Sequence, residues 1–272
     1  MDVTDLKLGE NFSIPQVGLG LWKNKDDAEF AAAFQAGIDA GYRHFDSAQA
    51  YDNEHLVGMA WKKSAVKRED LFITTKIAVQ NFGHKKALRK FDESLEKLQT
   101  DYVDLLLLHF PVTLLRKKTW QAAEEIHATG KARSIGVSNY MIRHLEAMKQ
   151  YAKVMPTVNQ VELHVFLQQP ELVAYCKDNN ILIEAYSPLA HARETSNETV
   201  QRIAKKHGKS YAQIMLRWLI EQDFVVLPKS VNPKRITENI SVFDFSLDDQ
   251  DKAALAKEDR NMRTCWNPVH IP

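Results

Sequence analysis

Strand and helix patterns alternate along almost the whole chain of 272 residues, and this alternation limits the possible folds more than any other feature. Short apolar or β-branched runs are followed by longer segments with helical spacing, as in the strand at 42–46 and the helix at 53–64. Strands that alternate with helices indicate a parallel sheet. About eight such units fit into the chain, so the pattern favours a closed (β/α)₈ barrel, which takes ~250 residues, over an open sheet.

The predicted elements follow the chain in order. Strands are predicted at 17–20, 42–46, 71–76, 102–109, 132–137, 157–162, 181–186 and 224–227. Helices are predicted at 26–40, 53–64, 85–98, 119–129, 141–151, 171–179, 197–207, 211–221, 233–242 and 247–257. This arrangement puts one extra helix before the last strand and one at the tail, with a β-hairpin that turns at 9–11 in front of the barrel. Gly41 and Gly130 are expected to end helices, and Asn53 is expected to cap one.

Composition excludes several classes of protein. The chain has 36 basic and 35 acidic residues and a net charge of +1, so no global field favours nucleic acid or an anionic membrane. A hydrophobic content of 44% without a linker predicts one domain that comprises residues 1–272. Cys176 and Cys265 are too few for a disulfide scaffold, which favours a reducing, cytoplasmic compartment. No signal peptide or long apolar run is visible.

Three predicted strands end in residues that carry a charge or a proton, namely Asp46, Lys76 and His109, and Tyr51 follows on the loop after the first of them. In a barrel the carboxyl ends of all strands meet at one rim, where active sites form. A lysine is an unlikely end for a strand that points into a core, because its charge is costly to bury without a partner. The four residues therefore predict a site for proton transfer at this rim.

The chemistry of these side chains suits the reduction of a carbonyl group. A tyrosine phenol has a pKa near ~10, and an adjacent ammonium group such as that of Lys76 is expected to lower it. Asp46 would keep Lys76 charged and oriented, while His109 would hydrogen-bond the carbonyl oxygen. Each residue taken singly has an ordinary structural explanation, and only their combination at one rim favours a site.

Other motifs are incomplete. An open dinucleotide-binding sheet would carry a Gly-x-Gly-x-x-Gly motif, but Lys23 stands where the third glycine is required after Gly18 and Gly20. Gly208-Lys209-Ser210 matches the end of a phosphate-binding loop, but Ile203 stands at the position of its first glycine. The chain has no His-x-His or His-Glu-x-x-His motif, so no metal is predicted.

Six segments together resemble the aldo-keto reductase family, and they span essentially the whole chain in order. They are Gly18-Leu19-Gly20-Leu21-Trp22, the run from Gly41 to Glu54, Ile135-Gly136-Val137-Ser138-Asn139, Val158-Asn159-Gln160-Val161-Glu162, Tyr186-Ser187-Pro188-Leu189 and Pro228-Lys229-Ser230. In pattern the chain is most similar to bacterial members that reduce diketogluconate, methylglyoxal and related α-dicarbonyls. The resemblance implies a (β/α)₈ reductase that uses NADPH, with Asp46, Tyr51, Lys76 and His109 as its catalytic residues and Tyr51 as the general acid.

The resemblance also implies where the cofactor binds. Ser138, Asn139 and Gln160 would hold the nicotinamide carboxamide, and Tyr186 would stack on the ring. Ser187 and Leu189 would approach the pyrophosphate. The 2′-phosphate would meet Lys229, Ser230 and Arg235, and the adenine would lie near Glu238 and Asn239. Two cations and a hydroxyl suit a dianionic phosphate, which favours NADPH over NADH.

The substrate pocket departs from the common family pattern. Trp22 and Phe110 are expected to form its walls, although Phe110 stands where a tryptophan is usual, and Trp266 would either close the mouth or lie on the surface. The loop at 111–118 is short, and the chain soon reaches the next helix after Pro188. These short loops predict an open cofactor site and small polar carbonyl substrates.

Two other functions stay open at this point. The first is a non-catalytic NADPH-binding barrel that acts as a sensor or a regulatory subunit, against which the complete set of four residues argues. The second is a barrel hydrolase or isomerase, which the absence of any cofactor binding would favour. No feature requires a protein or nucleic-acid partner, so a monomer is expected.

Overall fold

An antiparallel hairpin precedes the barrel. The computed structural model describes residues 4–9 and 12–272. Strand β1 (Asp5–Lys7) pairs with β2 (Ser13–Pro15), as the sequence predicted, while two residues of the predicted turn, at 10 and 11, lie outside the described residues. Leu8 and Ile14 pack against Phe72 and Leu105, so the hairpin covers the end of the barrel opposite the strand C-termini.

Eight parallel strands form the barrel, which confirms the predicted fold. The sheet order runs from the last strand to the first without a crossover, and bridges from Val17 to Val226 and from Gly20 to Lys229 join its two edges. The strands are β3 (Gly18–Gly20), β4 (His44–Asp46), β5 (Phe72–Ile77), β6 (Val103–Leu108), β7 (Ala132–Ser138), β8 (Val158–Glu162), β9 (Leu182–Tyr186) and β10 (Val225–Leu227).

Helices surround the strands and begin and end close to the predicted positions. They are α1 (Asp27–Ala40), α2 (Glu54–Lys63), α3 (His84–Leu98), α4 (Arg116–Ala128), α5 (Ile142–Met148), α6 (Pro170–Asp178), α7 (Glu198–His207), α8 (Tyr211–Ile220), α9 (Pro233–Ile240) and α10 (Asp249–Ala256). Two consecutive helices, α7 and α8, precede the last strand, and one of them is the predicted extra helix. The second predicted extra helix is α10 at the tail. Gly41 ends α1 with φ 101°, a conformation that glycine adopts without strain. Among the described residues, none of the helices combines the length and apolarity that a bilayer span requires.

The barrel interior changes from apolar to polar along the strands. Alternate residues of a strand share a face, so Phe72, Thr74 and Lys76 all point inward from β5. Phe72 belongs to the apolar cluster under the hairpin, Thr74 contacts His44, and Lys76 contacts Asp46. The interior therefore becomes progressively more polar toward the carboxyl ends of the strands, where a charged residue has partners.

Candidate active site

A cavity of about 950 Å³ opens at the carboxyl ends of the strands. Asp46, Tyr51 and His109 line it, and Lys76 lies directly behind them in the barrel wall. The cavity is also lined by most of the other residues predicted for the site, namely Trp22, Phe110, Ser138, Asn139, Gln160, Tyr186, Ser187, Leu189 and Lys229. Ser230, Arg235, Glu238 and Asn239 do not line it.

Lys76 is fully buried and makes four short contacts. Its Nζ atom donates to Asp46 Oδ1 at 2.6 Å and Oδ2 at 2.7 Å, to the carbonyl oxygen of Ser47 at 2.8 Å, and to Tyr51 Oη at 3.2 Å. These acceptors satisfy the ammonium group, and Asp46 supplies the opposite charge that a buried cation requires. The strand-end lysine is thus the centre of the arrangement that the sequence predicted.

The pKa values of Lys76 and Tyr51 show what burial and charge each contribute. Burial lowers the pKa of Lys76, but the charge of Asp46 and the hydrogen bonds more than offset it, so the net shift is upward. Burial raises the pKa of Tyr51, and Lys76 opposes only part of that rise. Lys76 does lower the pKa of Tyr51, as the sequence predicted, but desolvation of the phenolate outweighs the attraction of the ammonium group and the net shift is upward.

His109 is a neutral imidazole at the cavity wall. Burial, and next the charge of Lys76, lower the pKa of His109 to about 3. Its ring meets the Tyr51 ring edge-on, with 5.6 Å between the centroids. A neutral imidazole beside the phenol is able to donate a hydrogen bond to an oxygen atom without carrying a charge into the cavity.

Gln49 holds the loop that carries Tyr51. The loop forms a 3₁₀ turn at Gln49–Tyr51. Gln49 Oε1 accepts from the Ala78 backbone N–H at 3.0 Å and from Asn81 Nδ2 at 2.9 Å, and its Nε2 donates to Lys90 and Ser94. This side chain links the turn to the segment after β5 and to α3. Its role was not predicted, because a glutamine in a loop gives no sign of its partners.

Asn53 does not cap α2 as expected. It occupies the N-cap position, but its side chain makes no capping hydrogen bond. Instead it accepts from Ser47 Oγ at 2.8 Å and donates to the carbonyl oxygens of Leu21 and Asn24 at 2.8 and 3.0 Å. The side chain therefore joins the loops after β3 and β4, next to the carbonyl of Ser47 that Lys76 uses.

Gln160 bridges two carboxyl groups inside the barrel. Its Nε2 atom donates to Asp46 Oδ2 at 2.8 Å and to Glu184 Oε2 at 2.6 Å. Both amide hydrogens are thereby used, and the carbonyl oxygen of the amide is the group left for the cavity. Glu184 was missed in the sequence, although it lies two residues before Tyr186 and so shares its face of the strand.

Ser138, Asn139 and Tyr186 form one hydrogen-bonded group. Asn139 has a left-handed backbone with φ 65°, and its Nδ2 donates to Ser138 Oγ at 3.0 Å and to the His109 carbonyl at 3.2 Å. Tyr186 Oη donates to Asn139 Oδ1 at 2.8 Å. The three side chains are thus oriented in advance, and the Tyr186 ring presents an apolar face to the cavity.

The residues predicted for the phosphate end follow β10. Lys229 is exposed at the cavity edge, and Arg235 is exposed on the first turn of α9. Asn232 caps that helix by accepting from the backbone N–H groups of Lys234 and Arg235. Ser230 is half-buried in the connecting segment, and Glu238 and Asn239 lie farther along α9. The cations therefore stand beside a helix N-terminus, which favours anions.

Aromatic side chains surround the mouth of the cavity. Phe110 and Trp266 meet edge-on with their ring centroids 6.2 Å apart, and Trp22 meets His191 in the same way at 5.8 Å. Trp266 is 81% exposed and also lines the cavity, so it lies both on the surface and at the mouth.

The segment after Pro188 also contacts the tail. It forms a 3₁₀ turn at Ala190–Ala192, where His191 Nε2 lies 3.3 Å from Cys265 Sγ. Both residues line the cavity and were not predicted for the site. Among the residues that the structure describes, no group of three His, Cys, Asp or Glu side chains is placed to hold a metal ion.

Comparison with known proteins places the chain among proteins with this architecture. A family model described as "Aldo/keto reductase family" matches residues 16–259. The glyoxal reductase of Bacillus subtilis (strain 168) is 44% identical over 266 residues, which cover 98% of this chain and 96% of that protein. The methylglyoxal reductase DkgA of Escherichia coli (strain K12) is 40% identical over 269 residues, with 97% of each covered. An aldo-keto reductase of Bombyx mori, solved in complex with NADP, has a TM-score of 0.91 at 32% identity and covers 97% of this chain and 95% of its own.

Proposed function

Because the chain belongs to the aldo/keto reductase family, we propose that it reduces aldehydes and ketones to alcohols with NADPH as the reductant. The observation that carries the proposal is the position of Lys76. A single buried ammonium group contacts both carboxylate oxygens of Asp46 and the phenol oxygen of Tyr51, at the wall of a cavity large enough for a cofactor and a small substrate.

Tyr51 is the proposed proton donor. Its phenol gives a proton to the carbonyl oxygen, and the resulting phenolate lies 3.2 Å from the Lys76 ammonium group. Asp46 holds that ammonium group in place by a bidentate contact and keeps it charged. The positive charge therefore stabilises the product side of the proton transfer, which is where a general acid with a raised pKa needs assistance.

His109 is the proposed orienting group. With its pKa near 3, the imidazole is neutral at physiological pH and supplies an N–H donor to the carbonyl oxygen. The edge-on contact with the Tyr51 ring keeps both groups on one side of the cavity. An oxygen held between them would have one donor to orient it and another to protonate it.

The polar groups beside these residues fit a nicotinamide. When bound, the cofactor supplies the hydride for the carbonyl carbon. Gln160 offers an amide oxygen to the carboxamide N–H₂, because Asp46 and Glu184 take both of its own hydrogens. Ser138 and Asn139 complete the polar side of this pocket, and Tyr186 supplies the flat face on which a ring stacks.

The remaining cofactor residues are proposed for the nucleotide. Ser187 and Leu189, on the cavity wall, would meet the pyrophosphate, and Lys229, Ser230 and Arg235 would meet a 2′-phosphate. Glu238 and Asn239 would then be near the adenine. The two cations beside the capped N-terminus of α9 are the reason for preferring NADPH to NADH.

The proposed substrates are small α-dicarbonyls such as glyoxal and methylglyoxal. The support comes from two relatives, a glyoxal reductase and a methylglyoxal reductase, which the chain matches over nearly its full length. Trp22 and Phe110 are proposed to contact the substrate, since both line the same cavity as Tyr51 and His109. We further propose that residues 1–272 act as a single-domain monomer in the cytoplasm, which agrees with the two unpaired cysteines.

The test is a turnover assay that follows the absorbance of the reduced cofactor with glyoxal, methylglyoxal and an activated aromatic aldehyde. We expect turnover with NADPH in the wild type and a loss of about 10²–10⁴-fold in Tyr51→Phe, which keeps the ring but removes the proton donor. Cofactor binding should be equal in both proteins. Tight NADPH binding without turnover by the wild type would instead support a sensor or regulatory barrel.

A further inference from the structure

Glu184 is a fully buried carboxyl group that the proposed mechanism does not use. It lies on β9 directly opposite Gln160 of β8 and Val225 of β10, on the interior face of the barrel. Its Oε2 atom accepts from Gln160 Nε2 at 2.6 Å, and the same nitrogen donates to Asp46 Oδ2 at 2.8 Å. One amide group thus connects Glu184 to the carboxylate that holds Lys76.

The surroundings of Glu184 contain too little positive charge for two carboxylates. From β4 it faces Asp46 and His44, from β5 it faces Lys76, and its charge also acts on Tyr51 on the loop after β4. The Lys76 contacts are already taken by Asp46, Ser47 and Tyr51. A buried carboxylate without its own cation is strongly disfavoured, so one of the two acids keeps its proton.

His44 does not supply the missing charge. Its Nε2 atom is 3.5 Å from Glu184 Oε1 and 3.1 Å from Thr74 Oγ1, but burial lowers the pKa of His44 to about 3. The imidazole is therefore neutral. Burial, followed by the like charge of Asp46, raises the pKa of Glu184 to about 8. Asp46, with its bidentate contact to Lys76, is the acid that is ionised.

We propose that Glu184 is a positioning residue that stays protonated in the active protein, and that through the Gln160 amide it leaves Asp46 as the sole anion paired with Lys76. The bridge also orients the amide, because two carboxyl groups on one side require the N–H₂ end to point inward. Loss of the proton would place a second negative charge near Lys76 and raise the pKa of Tyr51. Turnover should then fall as Glu184 ionises.

The first test measures stability against pH and does not depend on activity. The pKa of Glu184 rises from 4.5 to about 8 on folding. At a pH between these two values the folded state therefore keeps a proton that the unfolded state has lost. Wild-type stability from this group is therefore lost as the pH rises through that range. Glu184→Gln has no such loss. The difference between its unfolding midpoint and that of the wild type should therefore shift in favour of the variant as the pH rises from 5 to 8.

Glu221→Gln is the matched control for this series. Burial favours the protonated form of Glu221, but the contacts of its carboxylate with Lys252, the Leu247 backbone N–H and Arg217 outweigh burial and lower its pKa. The folded pKa lies below the unfolded value of 4.5, so both states have lost this proton by about pH 6, and the deficit of this variant should not change between pH 6 and 8. A constant difference for Glu184→Gln as well would overturn the proposal, and so would a growing deficit, which would indicate an ionised Glu184.

The second test rests on the proposed reductase function. The rate of hydride transfer in single turnover should have an alkaline limb near pH 8 in the wild type. In Glu184→Gln that limb should move up by about one pH unit or more, with NADPH affinity at neutral pH unchanged. An unmoved limb would contradict the catalytic consequence. If the wild type reduces no carbonyl, the proposed function fails, while the stability series still decides the state of Glu184.

A third measurement needs no variant and applies if Glu184→Gln does not fold. In the wild-type protein with carbon-13 in its glutamate carboxyl groups, one NMR resonance should titrate near pH 8. A spectrum in which every glutamate has ionised by pH 6 would overturn the proposal.

Discussion

The ammonium nitrogen of Lys76 lies 3.2 Å from the phenol oxygen of Tyr51 and 4.8 Å from the centroid of the same ring. Both the oxygen atom and the π face of Tyr51 are thus within reach of one buried positive charge. The phenolate that the proposed proton donation would form gains more from this contact than the neutral phenol does. The contact would therefore stabilise the transition state of proton transfer more than the resting protein.

Lys76→Met should lower the rate of hydride transfer by about 10²–10⁴-fold and leave NADPH affinity largely intact. The variant also leaves Asp46 buried without a cation, which costs about 3–5 kcal/mol of stability. The double variant Lys76→Met/Asp46→Asn should recover part of the stability but none of the rate. Single-turnover kinetics and cofactor titration measure both effects, and a near-normal rate in Lys76→Met would contradict the assignment.

Arg235→Ala should weaken NADPH binding far more than NADH binding, because only NADPH carries the 2′-phosphate that this side chain is proposed to meet. A lost charge-assisted contact of this kind is worth about 1.5–3 kcal/mol, or roughly 10–150-fold in Kd. Arg202→Ala, an exposed arginine on α7, is the control and should change neither Kd. Equal losses for both cofactors in Arg235→Ala would refute the phosphate assignment.

Asp104→Ala should lower stability by about 3–5 kcal/mol without lowering the turnover of the folded protein. Asp104 is buried on β6 and accepts from Arg68 Nη2 at 2.7 Å, Arg133 Nη1 at 3.2 Å and the Ile73 backbone N–H at 2.9 Å. Asp101→Ala, at an exposed position nearby, should be close to neutral. Denaturant unfolding measures the stability, and a small effect at Asp104 would show that the arginines find other partners.

Gly136→Ala should destabilise the barrel by about 1–3 kcal/mol or more. A Cβ atom at Gly136 would lie 2.6 Å from the Val158 carbonyl oxygen and 2.7 Å from Leu107 Cδ2, and the closer of these atoms belongs to the backbone, which does not give way as a flexible side chain does. Gly37→Ala on α1 provides the comparison, since its Cβ would be 3.1 Å from a leucine methyl group and alanine favours the helix by about 1 kcal/mol. Thermal unfolding should rank Gly136→Ala well below Gly37→Ala.

The fold could be predicted because hydrophobic periodicity is local. Strand ends and helix ends such as Gly41 depend on neighbours within a few residues, so the barrel and the positions of Asp46, Lys76 and His109 at its rim followed from pattern alone. Tyr51 lies outside any strand, and its approach to Lys76 requires the turn that Gln49 holds through contacts to residues 29–45 positions away.

The sequence by itself determined which residues are candidates for the chemistry and on which end of the barrel they lie. Only the tertiary structure decided how strongly each is perturbed. Whether burial or Lys76 controls the pKa of Tyr51 depends on how much water the packed barrel excludes, and no spacing of residues reports that. The same holds for Asn53, whose partners lie on the loops after β3 and β4, and for Glu184, whose partner Gln160 lies on β8. Long-range contacts decide which of several locally possible hydrogen bonds forms.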